Sequence, residues 1–237
     1  MSFAAPKVIA SLPDQAERQR LGRSLLATTD RLGDDRTVPL SDRVWTASAD
    51  IDLGKAANGN RVPPAVLAQV RARMAAVDKA AIGRVQRQSV VPRVAEMLDA
   101  AGDVEGAIRY LKANLASAEA PAYDMDDIAE FEEELGSRTA AVDWERRSFE
   151  AAEGSATRVQ SAINYADMAM KMLPGDRAAV ERGANAVLTA LREDEGNYSS
   201  YVWKKTQAWT GRLAAWSTKK TARQSLRAST PAWRRCA

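Results

Sequence analysis

Seven carboxylates crowd one short stretch of the chain: Asp124, Asp126, Asp127, Glu130, Glu132, Glu133 and Glu134. Such a cluster could dock a basic partner or hold a cation. It could also run acid–base chemistry if burial shifted the pKa of one member of a pair. Glu130 and Glu134 have the spacing for a pair, one helical turn apart. Many like charges surround them and no cleft is indicated, so catalysis there is not expected. A calcium loop does not fit, because it needs a glycine at its sixth position and a closing Glu. The plainer reading is a solvated helix face, with Asp124, Asp126 and Asp127 favoured near the positive end of the helix dipole. Asp124, Asp127 and Glu130 are candidate partner contacts under the docking reading.

Other familiar chemistries lack their residues. The 237 residues include no histidine, which removes the usual general base near neutral pH and the commonest zinc ligand. The single cysteine, Cys236, can form neither an internal disulfide nor a Cys-x-x-Cys pair. No glycine-rich phosphate loop of the P-loop or dinucleotide-binding type is present. The reading therefore expects no enzyme, no cofactor and no metal.

A second constellation sits near the C-terminus. Tyr198, Tyr201, Trp203, Trp209, Trp216 and Trp233 accompany Lys204, Lys205, Arg212, Lys219, Lys220, Arg223 and Arg227. Aromatics can stack on bases while Lys and Arg meet phosphates, and a basic amphipathic helix can lie on an anionic membrane. Against both stands a core reading, with Trp209 and Trp216 as packing anchors and the charges on the wet side. The net charge of +3 hides this asymmetry: residues 197–237 carry nine Lys or Arg and no acid, whereas 119–153 carry twelve acids and three Arg. The acidic middle is itself a possible partner for the basic end.

These residues need helices to position them. Hydrophobic residues make up 46% of the chain but aromatics only 6%, and alanine is abundant, a composition that packs helices closely. No alternating stretch of strand length stands out. A first helix is expected within 1–36, capped by Ser11, with Leu21, Leu25 and Leu32 at near-helical spacing. GDDRTVP (33–39) reads as a linker, and Ser41 as the cap of a second helix carrying Val44, Trp45, Ala49 and Leu53. Pro63 and Pro64 open a third with Val66, Val70, Met74 and Val77 on one face. Helical pattern then resumes to about Ala101, with Pro92 a kink or break. A pair over 155–172 and 176–192 is split by Pro174-Gly175. A last helix runs from about Tyr198 to Ser217, with Tyr198, Val202, Trp209, Leu213 and Trp216 on one face.

Gly102 and Gly136 lie 34 residues apart, and the same offset aligns Val94 with Ile128, Ala95 with Ala129, Ala107 with Ala141, Ile108 with Val142 and Leu115 with Phe149. That is the period of the tetratricopeptide repeat (TPR), a helix–turn–helix unit. Small residues sit where paired helices touch, large ones fill the gap to the next pair, and glycine supports the turn. The final proline of the consensus is missing from both units. The expected fold is all-α, an α-solenoid of TPR-like helix pairs with a C-terminal capping helix. Its parts would be an N-terminal helical segment (1–36), the TPR-like domain (37–216) and a basic tail (217–237) expected to be disordered.

Four stretches carry a resemblance: LSDRVWTASADIDLGKA (40–56), VRARMAAVDKA (70–80), AAVDWERRSFEAAEGSATRVQ (140–160) and GRLAAW (211–216). They resemble the C-terminal TPR-like helical region of bacterial thioredoxin-family proteins, over roughly residues 10–216. Those proteins carry a thioredoxin-fold domain with a Cys-x-x-Cys site and are typically exported. These 237 residues hold no Cys-x-x-Cys pair, so no redox residue carries over, and the stretch from Met1 is not expected to act as an export signal. The chain would be either a stand-alone helical module or the C-terminal fragment of a thiol–disulfide oxidoreductase.

The sequence thus points to a non-catalytic protein-binding scaffold, with a protein or peptide partner held on the concave face. Tyr110 and Asn114, and Asn164 with Tyr165, are the candidate inward contacts, as polar or aromatic groups on aliphatic helices. Nucleic-acid binding through the basic aromatic end is the other reading. No apolar run approaches the roughly 20 residues of a membrane span. The compartment expected is the cytoplasm, or the periplasm if the chain belongs to a longer exported protein.

Overall fold

The computed structural model describes residues 4–229, and every regular element among them is helical. The chain divides into two compact units, Met1–Leu135 and Gly136–Ala237.

The first unit begins with α1 (Ala4–Ser11) and α2 (Gln15–Asp34). Ser11 ends α1 rather than capping a helix, and its hydroxyl donates back to the Val8 carbonyl at 2.8 Å. Asp14 is the cap: its carboxylate accepts the Glu17 amide at 2.9 Å, satisfying one of the orphan N–H groups of the first turn. The linker expected over 33–39 is confined to the residues after Asp34. The second expected helix is three pieces, α3 (Leu40–Val44), a 3-10 turn (Trp45–Ala47) and α4 (Ser48–Ala57). Ser41 does not cap it. Pro39 occupies that position, with φ of −53°.

Next come α5 (Pro64–Ala80), α6 (Arg84–Ala100), α7 (Val104–Asn114) and α8 (Pro121–Glu134). Pro64 opens α5 as its type predicts, and Val70, Met74 and Val77 are buried on one face. Pro92 lies inside α6, which continues through it. Within this unit α5 packs on α6, α6 on α7 and α7 on α8.

The second unit holds α9 (Arg138–Ala151), α10 (Ser155–Met172), α11 (Arg177–Arg192), a 3-10 turn (Glu195–Tyr198) and α12 (Ser200–Ser229). The split at Pro174-Gly175 falls where the sequence places it. α10 and α11 approach so closely that a Cβ on Gly183 would lie 2.7 Å from the Ala166 Cα. Trp209 anchors α12 in the core at 2% exposure. Tyr198, expected on the same face, precedes the helix and is half exposed. The helix expected to stop near Ser217 extends to Ser229, so 216 is not an element boundary; residues 230–237 of the expected tail lie outside the described residues.

The 34-residue register coincides with burial at four of its five aligned pairs, Leu115 and Phe149 being only half-buried. Val94 and Ile128, Ala95 and Ala129, Ala107 and Ala141, and Ile108 and Val142 are all buried. Gly102 and Gly136 both take positive φ, 85° and 73°, a left-handed conformation that glycine adopts without steric cost. The division between units nevertheless falls between α8 and α9, inside the second expected repeat.

Candidate functional site

The candidate site lies in the first unit, where α6, α7, the 3-10 turn Leu115–Ser117 and the start of α8 border a cavity of about 210 Å³. Pro121 fixes the first turn of α8 and delivers Tyr123 and Asp124 to its wall. Tyr123 is 60% exposed, whereas Asp124 is only 7% exposed. Val91, Pro92, Ala118 and Ala120 supply apolar wall, and Arg87 and Glu119 add charge.

One wall is braced by a closed network. Arg87 donates to Asp78 at 3.1 Å and also to the Asn114 amide oxygen. The Tyr110 hydroxyl donates to the same Asp78 oxygen at 2.5 Å. The Asn114 amide donates to the Tyr110 carbonyl at 2.8 Å. Three helices, α5, α6 and α7, are thereby tied together. Burial first, and then the Asp78 hydrogen bond, push the Tyr110 phenol up. Tyr110 and Asn114, expected as partner contacts, are therefore spent on internal bonds, although Asn114 does reach the cavity wall.

Asp124 stands apart from this network. Among the described residues it has no hydrogen bond and no ion pair. Burial alone raises its carboxyl to about 6. Asp127, one turn on, is raised to about 7 by burial and then by Asp126, Glu130, Asp124 and Glu96. Glu130 is exposed. Glu132 leaves the cluster to pair with Lys112 at 3.0 Å. The solvated-face reading thus holds for Glu130 and fails for Asp124. Glu134, one turn beyond Glu130, meets Asp99, whose carboxyl is raised to about 6 by burial and then by Glu134.

In the second unit Tyr165 is buried at 4% exposure and belongs to the core, so it offers no contact to a partner. Asn164 is half-buried and accepts from Gln160 at 2.7 Å. Near the start of α12, Tyr198 and Trp203 have ring centroids 6.0 Å apart, and Lys205 lies 4.8 Å from the Tyr201 ring centre. Arg212 is held by Asp167 at 2.6 Å, and the Trp216 indole donates to the Pro174 carbonyl at 3.2 Å.

The sequence reading passed over Asp78, Arg87, Val91 and Tyr123. A signal for Asp124 was present: Asp124, Ile128 and Phe131 follow helical spacing, so the carboxylate lies on the apolar stripe of α8. No group of three or more Cys, Asp or Glu among the described residues is placed to share one metal ion. Nor is any described helix long and apolar enough to cross a membrane. Comparison with known protein families, curated proteins and solved structures gives no match.

Proposed function

We propose that the chain is a non-catalytic helical scaffold that holds a protein or peptide segment, the partner-holding module of a thioredoxin-like system. One observation supports this above the rest. The first unit presents a side-chain-sized cavity with apolar walls, an exposed tyrosine at its edge and, in its lining, a carboxylate that bonds to no described residue. Recognition sites for extended segments commonly combine an apolar pocket with a few placed polar groups. The lack of histidine and of a second cysteine argues the same way, against the common catalytic routes. The TPR-like arrangement and the thioredoxin connection rest on the 34-residue register and on the four stretches quoted above.

The test is a pull-down with the intact chain from its source cell. A partner should be retained by the wild type and by Arg109→Ala, an exposed change on α7, and released by Tyr123→Ala. A partner indifferent to Tyr123, or none at all, counts against the scaffold.

Nucleic-acid binding is the second reading, favoured by the exposed Tyr198, Tyr201 and Trp203 beside Lys204 and Lys205. Counterion release then requires affinity for single-stranded DNA or RNA to fall steeply as salt rises. Binding that survives Trp203→Ala and Lys204→Ala together removes this reading.

A further inference from the structure

We infer that the cavity beside Asp124 receives one arginine side chain of the partner segment, a reading that rests on the scaffold proposed above. Asp124 is nine-tenths buried, lines the cavity and bonds to nothing among the described residues. Burying a carboxylate without a partner is costly, and the position of Asp124 near the N-terminus of α8 offsets only part of that cost. A cation entering the cavity supplies the missing partner.

The lining selects the kind of cation. Arg87 is the positive group in the wall, but its charge is engaged by Asp78 and it donates to Asn114 as well. An anionic ligand would meet a neutralised guanidinium and two carboxylates, Asp124 and Glu119. A metal ion would lack ligands, since no third acid among the described residues joins them. An organic cation on an alkyl stem finds what it needs: Val91, Pro92 and Ala120 for the stem and Asp124 for the charge. The exposed ring of Tyr123 offers a stacking surface, which favours a planar guanidinium over an ammonium. At about 210 Å³ the space far exceeds the ~10–15 Å³ that one water requires. Charge complementarity extends beyond the cavity, because residues 119–134 hold eight acids and no base.

The experiment titrates the full chain at pH 7.5 with N-acetylarginine amide, following binding by calorimetry and by the amide resonances of Ala120 and Tyr123. Saturable binding is expected. The neutral citrulline analogue should bind about tenfold more weakly or worse, as should Asp124→Asn with the arginine probe, since each removes one charge of a buried pair. Asp126→Asn, the same charge change outside the cavity, should stay within about twofold. Circular dichroism of Asp124→Asn establishes that it folds; the citrulline comparison needs no variant. The assignment is overturned if the arginine probe does not bind, if citrulline, lysine or glutamate analogues bind as well, or if Asp124→Asn binds unchanged.

A second arm uses an arginine-containing nonapeptide. If it binds no better than the single amide, the cavity assignment stands and the scaffold reading fails. If it binds the wild type and Asp124→Asn equally, the scaffold stands and the cavity assignment fails.

Discussion

Burial raises the Asp127 carboxyl to about 7, and Asp126, Glu130, Asp124 and Glu96 push in the same direction. In the unfolded chain an aspartate titrates near ~3.9. Between those values the folded state holds a proton that the unfolded state has released. Stability from this group is therefore full below about pH 4 and lost as pH rises through about 7. Asp124 and Asp99, each raised to about 6, act with the same sign. Asp127→Asn removes the ionisation. Its thermal midpoint should match the wild type at about pH 3, where both states hold the proton, and exceed it increasingly up to pH 8. The gain should be about 1 kcal/mol, below the full value of the shift because Asp127 is only half-buried. A variant less stable than wild type at pH 8 would contradict this account of the acidic stretch.

Helix starts and helix contacts are decided by single atoms at the scale of the element. The Asp14 carboxylate accepts the Glu17 amide, so Asp14→Ala should cost about 1 kcal/mol. Ser11→Ala removes only a back-bond to Val8 on an exposed helix end, and should cost less than about 0.5 kcal/mol. Urea denaturation of the two variants tests the order, and equal costs would show that α2 is not capped as described. Gly183 faces the Ala166 backbone, with no room for a side chain. Valine there forces α10 and α11 apart, and the expected loss is about 1–3 kcal/mol in the same assay. An unchanged midpoint for Gly183→Val would mean the two helices can separate freely.

At the scale of the molecule, the first unit has a buried centre of its own, built from Val44, Ile51, Val70, Met74, Val94, Leu111 and Ile128. Residues 1–135 expressed alone should therefore be helical by circular dichroism and unfold in one cooperative transition. A coil spectrum would show that this centre does not suffice. The second unit is built likewise around Val159, Val180 and Val187, with Trp209 closing it from α12.

Local patterns determined the helical class and many helix positions. Pro64 opens α5, Pro174-Gly175 divides α10 from α11, and Gly102 and Gly136 take the left-handed turns that their type permits. Each of these follows from backbone sterics within a few residues, which the sequence states outright. The starts of the first helices were less legible because neighbouring residues compete for each start, Ser11 with Asp14 before α2 and Ser41 with Pro39 before α3. Which of them wins depends on how the flanking chain turns. The candidate site was less legible still. Helical spacing places Asp124 in line with Ile128 and Phe131, but it does not say what lies across that stripe. Only tertiary packing brings α6 and α7 against α8, buries most of Asp124 at the wall of a cavity and leaves Glu130 exposed. It also joins Asp78, Arg87, Tyr110 and Asn114, residues up to 36 positions apart, into one network. The physical reason is that helix formation is local, whereas burial of a charge is a property of its neighbours in space.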